Sequence, residues 1–194
     1  MSMNIPVPPD DVRNALKSGL DPFLTDQNDP LRKILMGGQP IGGKCVAVPM
    51  FRVKLEDVAA GKWQSQLTGW RFLAVDGDQN GIVVDVTAPA LGHPARVAGV
   101  QRRPQVGKLI RALRNVQVPP DGGTDDLELS FLTVPGLLTE AFWIKPKNNV
   151  GHGWAVPYRT LVPEFQVKRL YKLEECFDVA QSLAQDRLQQ NDNL

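Results

Sequence analysis

Six Val-Pro dipeptides punctuate the chain, beginning at Val7, Val48, Val118, Val134, Val156 and Val162. Proline fixes φ and donates no backbone hydrogen bond, so within a sheet it is confined to edges, strand ends and bulges. Long regular central strands are thereby disfavoured, and the expectation is a bent sheet of short strands with proline-marked breaks. The spacing of the six is too irregular for a structural repeat.

From Lys44 onward the chain supplies matching segments: CVAVPMFRV, WRFLAV, IVVDV, ARVAGV, LELSFLTV, LLTEAFWI and GWAVPY. Each is rich in residues that suit a pleated, half-buried surface. Between the first two, LEDVAA at 55–60 reads as a single helical turn. Ahead of them, the first nine residues carry three prolines and read as an extended arm. Asp10 or Asp11 then caps a short helix stopped at Gly19, and Asp29-Pro30 opens a second that ends at Met36. The glycine-rich GGQPIGGK lacks the strand before, the helix after and the GK[ST] ending of a phosphate loop, and reads as a connector.

Two longer helices are predicted. Between 104 and 116, Val106, Leu109, Ile110, Leu113 and Val116 recur at helical spacing, with Pro104 suited to the first turn. Near the C-terminus Leu173, Phe177, Ala180, Ala184 and Leu188 form a stripe widened by Cys176 and Leu183, before a frayed end at 189–194. Most strand-to-strand links are too short for parallel crossovers. The fold class expected is therefore α+β: a mixed, mostly antiparallel sheet of short strands, two longer helices and short N-terminal helices, in a single domain over 1–194.

Composition excludes several function classes. Of 194 residues 42% are apolar, enough for a proper core, and 22 basic against 21 acidic residues leave a net charge of +1. No global field therefore selects nucleic acid or membrane. Two isolated cysteines fit a reduced compartment, and no run approaches the 18 apolar residues of a spanning helix. A cytoplasmic, soluble chain without a secretory leader is the expectation.

Asp76–Gly81 (DGDQNG) resembles the front half of a calcium loop, with Asp76, Asp78 and Asn80 at alternate positions ahead of a glycine. The bidentate glutamate that should close such a loop is replaced by Thr87, and both flanks read as strands. A hairpin turn accounts for the same residues, with Asp and Asn bonding locally to backbone and Gly supplying positive φ.

A charge asymmetry is more informative, because no Asp or Glu occurs from Val86 to Pro120. That window holds Arg96, Arg102, Arg103, Lys108, Arg111 and Arg114. Lys108, Arg111 and Arg114 recur every third residue and share a helix side, forming a surface for an acidic protein partner or for phosphates. Six cations are a thin supply for nucleic acid, and aromatic stacking platforms are missing from the window. Trp143 and Trp154 lie on two strands joined by KPKNNVGHG, where amphipathic indoles can floor a partner groove. Ala141 and Trp143 alternate with Phe142 and Ile144, so both strand faces are apolar and a helix, a partner or a second copy must cover one.

Cys45 followed by His152 is the one nucleophile–base pair worth naming for a hydrolase. Cys45 lacks the helix N-terminus or cationic setting that activates a thiol, Lys44 being its one charged neighbour. No GxSxG elbow occurs, and His93 and His152 with two isolated cysteines make no metal-ligand spacing. No cofactor is expected. The reading is a non-catalytic binding or adaptor module for a protein partner, with nucleic-acid binding and a Cys45/His152 hydrolase as alternatives.

Overall fold

A computed structural model describes residues 3–37, 44–77, 80–90, 93–114, 127–147 and 153–191. Among these residues the fold is α+β, with a mixed, mostly antiparallel set of strands and five α-helices. The chain divides into two compact units: one of Ile5–Pro49 and Thr68–Val118, the other of Met1–Asn4, Met50–Leu67 and Pro119–Leu194.

The first unit contains α1 (Asp10–Gly19), α2 (Pro30–Met36), the opening of β2 (Cys45–Arg52), most of β3 (Gln66–Asp76), β4 (Asn80–Thr87), β5 (Val97–Arg102) and α4 (Val106–Arg114). Its strand order is β5-β4-β3-β2. The β3–β4 hairpin pairs Trp70 with Val86, Phe72 with Val84 and Ala74 with Ile82, so these six side chains share one face. Against them pack Val12, Leu16 and Leu20 from the α1 region and Leu31 and Leu35 from α2. Asp29 caps α2 by accepting the Leu31 N–H at 2.8 Å, with Pro30 at the first position, as the sequence predicts. Pro104 differs from expectation: with Gln105 it forms a turn, and α4 starts at Val106. Gly81 explains the close seat of α4, since a Cβ there would lie 2.7 Å from the Val106 Cβ.

The second unit contains β1 (Met3–Asn4), the end of β2, α3 (Leu55–Ala59), β6 (Leu127–Val134), a 3-10 turn at Pro135–Leu137, β7 (Thr139–Pro146), β8 (Trp154–Arg159), β9 (Tyr171–Lys172) and α5 (Leu173–Asn191). β1 and β2 run parallel to β6 at different heights of one edge, pairing Met3 with Leu127 and Met50 with Phe131. β7, β8 and β9 follow antiparallel. The arm expected over residues 1–9 thus includes a short paired strand, and α5 runs on to Asn191, into the segment expected to fray.

Proline placement obeys the rule that motivated the fold. Pro49 directly precedes the part of β2 that bonds to β6, Pro146 ends β7 and Pro135 starts the 3-10 turn. Pro157 sits at an irregularity: Ala141 faces Pro157 while Glu140 faces Arg159, which leaves Tyr158 as the extra residue. Both apolar faces of β7 are buried: Trp143 and Ala141 on one, Phe142 and Ile144 on the other. The Trp143 face packs with Leu173, Cys176, Ala180 and Ala184 of α5 and Val58 of α3. Trp63 stacks on Phe177 at 3.5 Å between centroids, and the Gln185 amide donates to the Ala59 carbonyl at 3.0 Å. An apolar cavity of about 30 Å³ remains between this sheet face and α5, lined by Leu132, Ala141, Ala155, Phe165, Cys176 and Ala180 among others.

Candidate functional site

The cation-rich segment of the first unit lies on its last strand and the helix that follows. Arg96 is exposed, and its backbone is tied to β4 by donation to Thr87 Oγ1 at 3.1 Å and acceptance of the Thr87 N–H at 2.9 Å. On α4 the apolar Val106 and Ile110 are buried, which turns Lys108 and Arg111 outward to exposed positions. That is the result helical spacing requires when one stripe is apolar. The Arg114 side chain falls outside the described residues.

Arg102 and Arg103 are drawn into local contacts. Arg102, facing the α1–α2 side of β5, pairs with Asp29 at the cap of α2 and donates to Asn80 Oδ1 at 3.4 Å. Burial opposes the Asp29 charge, but the Arg102 hydrogen bond and the Leu31 N–H outweigh it and hold the carboxyl below its ordinary range. Arg103 donates its Nε to Gln101 Oε1 at 2.9 Å. These two arginines make contacts within the unit, and Arg96, Lys108 and Arg111 lie at exposed positions.

The described ends of DGDQNG are paired as in a hairpin: Asp76 faces Asn80 across the ladder, and Gly77 adopts φ 73°. Asp78 lies outside the described residues. Asn80 spends its side-chain oxygen on Arg102, a cation where a calcium ligand set would place none. Among the described residues no group of three or more His, Cys, Asp or Glu is arranged to hold a metal ion.

Cys45 is 7% exposed at the start of β2 in the core shared with α1 and α2, and burial pushes its thiol up to about 12. Such a thiol is protonated at neutral pH, whereas nucleophilic catalysis needs the thiolate. His152 lies outside the described residues. Trp143 and Trp154 are 2% and 8% exposed, and both indole N–H groups are buried without a hydrogen-bond partner.

One buried cluster escapes the sequence reading. β7 continues to Pro146, so Lys145 belongs to the strand and not to the link after it, and it is 8% exposed. Its ammonium lies 4.6 Å from the Phe51 ring centroid and 5.0 Å from that of Trp143. Those rings meet edge to face, 5.6 Å apart. Burial lowers the Lys145 pKa against the raising effect of Glu128, its partner across the β6–β7 ladder. Cation–π contacts return about 0.5–2 kcal/mol, against several kcal/mol to desolvate an ammonium. Among the described residues no carboxylate lies within ion-pair distance of it. Ser130, opposite Trp143, is fully buried and its hydroxyl also has no partner. The signal was present in the sequence: the period-two pattern that sets Ala141 and Trp143 on one face continues to Lys145.

Comparison with protein-family models, curated proteins and solved structures gives no match to this chain. Among the described residues no helix is long and apolar enough to cross a membrane.

Proposed function

We propose that this chain is a non-catalytic binding module whose first unit docks an acidic surface of a protein partner. The observation that carries the reading is the exposure of Arg96, Lys108 and Arg111 in a stretch of sequence free of Asp and Glu. Opposed charge steers encounter and selects partners more than it adds affinity, so a salt-sensitive, fast-exchanging complex is the form the interaction takes. The burial of Cys45, which keeps its thiol protonated at neutral pH, is in keeping with that reading.

The test is capture of partners from source-cell lysate by wild type and by a Lys108→Glu/Arg111→Glu variant, with and without nuclease. Arg102 is left intact because it pairs with Asp29 at the cap of α2. The expected outcome is a stoichiometric protein that survives nuclease, elutes with moderate salt and is lost at least tenfold by charge reversal, with the melting temperature unchanged. Retention by the variant removes the reading. Recovery that vanishes with nuclease replaces it by phosphate recognition.

A further inference from the structure

We propose that the second unit holds a buried site for a small monoanion, a carboxylate group above all, received by the Lys145 ammonium with the Ser130 hydroxyl and the Trp143 indole N–H as neutral donors. The register of β6 and β7 builds the site: Glu128 faces Lys145 and Ser130 faces Trp143, and alternate residues share a strand face. β2 runs beside β6 with Phe51 opposite Leu132, two residues from Ser130, which brings the Phe51 ring to the same face. The ammonium then lies over two rings, 4.6 and 5.0 Å from their centroids.

Aromatic faces attract a cation but offer no lone pairs, so its protons are not accepted by them. Ser130 Oγ and Trp143 Nε1 add two buried polar groups with no protein partner, an uncommon condition in folded proteins that a water, an ion or a bound ligand relieves. All three side chains are more than nine-tenths buried. The missing complement is an acceptor, and its charge is limited. Lys145 supplies one positive charge, while Phe51 from β2 and Ala155, which faces Trp143 from β8, supply none. Glu128 on β6 is the acidic group facing the ammonium. A dianion would exceed the single positive charge in a low-dielectric setting, so the match is a monoanion that takes the place of the Glu128 carboxylate beside the ammonium. Lys145 is retained in its charged form by such a ligand, although burial lowers its pKa in the free protein.

This site is in a different unit from the basic surface, and neither reading depends on the other. The test follows thermal melting of the full chain while sodium acetate, then sodium chloride, replaces sodium sulfate at constant ionic strength. Expected is a saturable rise with acetate that is lost in Lys145→Met, weakened several-fold in Ser130→Ala, and tightened in Glu128→Gln, where the competing carboxylate is gone. The acetate affinity falls as pH rises through the lowered Lys145 pKa, at a lower pH than ordinary lysine chemistry gives. Saturation by chloride but not acetate overturns the carboxylate assignment. An acetate response equal in wild type and Lys145→Met overturns the site. If Lys145→Met does not fold, Ser130→Ala and Glu128→Gln decide it, since unchanged or same-direction shifts in the two overturn the proposal.

Discussion

At Asp29 one carboxylate caps α2 through the Leu31 N–H and meets the Arg102 guanidinium arriving from β5. The guanidinium is 54% exposed, so the charge pair itself contributes little, and most of the value lies in the cap. Asp29→Ala should therefore cost about 1–2 kcal/mol near neutral pH, and Asp29→Asn, which keeps an acceptor oxygen, clearly less. The folded-state pKa is lowered from 3.8, so this stability is present above 3.8 and is lost as pH falls through the lower folded value. Urea unfolding of the two variants from neutral pH down to pH 3 checks both the order and the convergence. The two thiols run the other way. Burial lifts Cys45 and Cys176 from 9.0 to about 12, with Glu174 and Glu175 adding to the shift at Cys176. Protons bound more tightly in the folded state mean stability that is intact below pH 9 and declines as pH rises toward 12. A Cys45→Ala/Cys176→Ala variant should lose stability at neutral pH and show a flatter decline across that alkaline window. An equally steep decline would assign it to other groups.

At the scale of elements, α5 lies on the second unit's sheet over a residual cavity of about 30 Å³ lined by apolar side chains. Such a space leaves the apolar side chains around it without partner atoms on one side and represents lost contact. Ala155 on β8 borders it and is 3% exposed. Ala155→Val adds two methyl-sized groups where a β-branched residue suits the strand. The expected gain is about 1 kcal/mol after some overpacking, seen as a higher urea midpoint with an unchanged slope. A lower midpoint would mean that the introduced valine branch cannot turn toward α5. The elements themselves were largely legible in the sequence. α2 was marked by Asp29-Pro30, α5 by its stripe through Leu173, Ala180 and Ala184, and the β3–β4 hairpin by its Gly/Asn/Asp turn, because cap, period and turn chemistry are local. The parallel ladders of β1 and β2 on β6 were not, since nothing in Met3 or Met50 specifies Leu127 or Phe131 as a neighbour. The buried Lys145 was missed for a different reason: the polar run KPKNN suggested a link and hid the period-two pattern, whereas the ladder with Glu128 shows that the strand continues.

Across the whole molecule the chain passes between its two units four times, after Asn4, Pro49, Leu67 and Val118. Two of those passages fall inside strands, β2 and β3, so neither unit is a contiguous stretch of sequence that could fold and then be joined to the other. The second unit shows the consequence most clearly. Its core needs Val53 and Val58 from the 50–67 segment together with Leu132, Trp143, Leu173 and Ala180 from the C-terminal segment, and the ring pair that holds Lys145 joins Phe51 to Trp143. A fragment of residues 119–194 alone strips Phe51, Val53, Val58 and Trp63 from the core on the Trp143 face of β7 and lacks the β1 and β2 edges of β6. It should be unfolded, with no near-ultraviolet circular dichroism. The intact chain should melt in one calorimetric transition whose van't Hoff and calorimetric enthalpies agree, as a cooperative unit requires. Two resolved transitions, or a folded 119–194 fragment, would instead show that each unit can complete its core from the segments it is given.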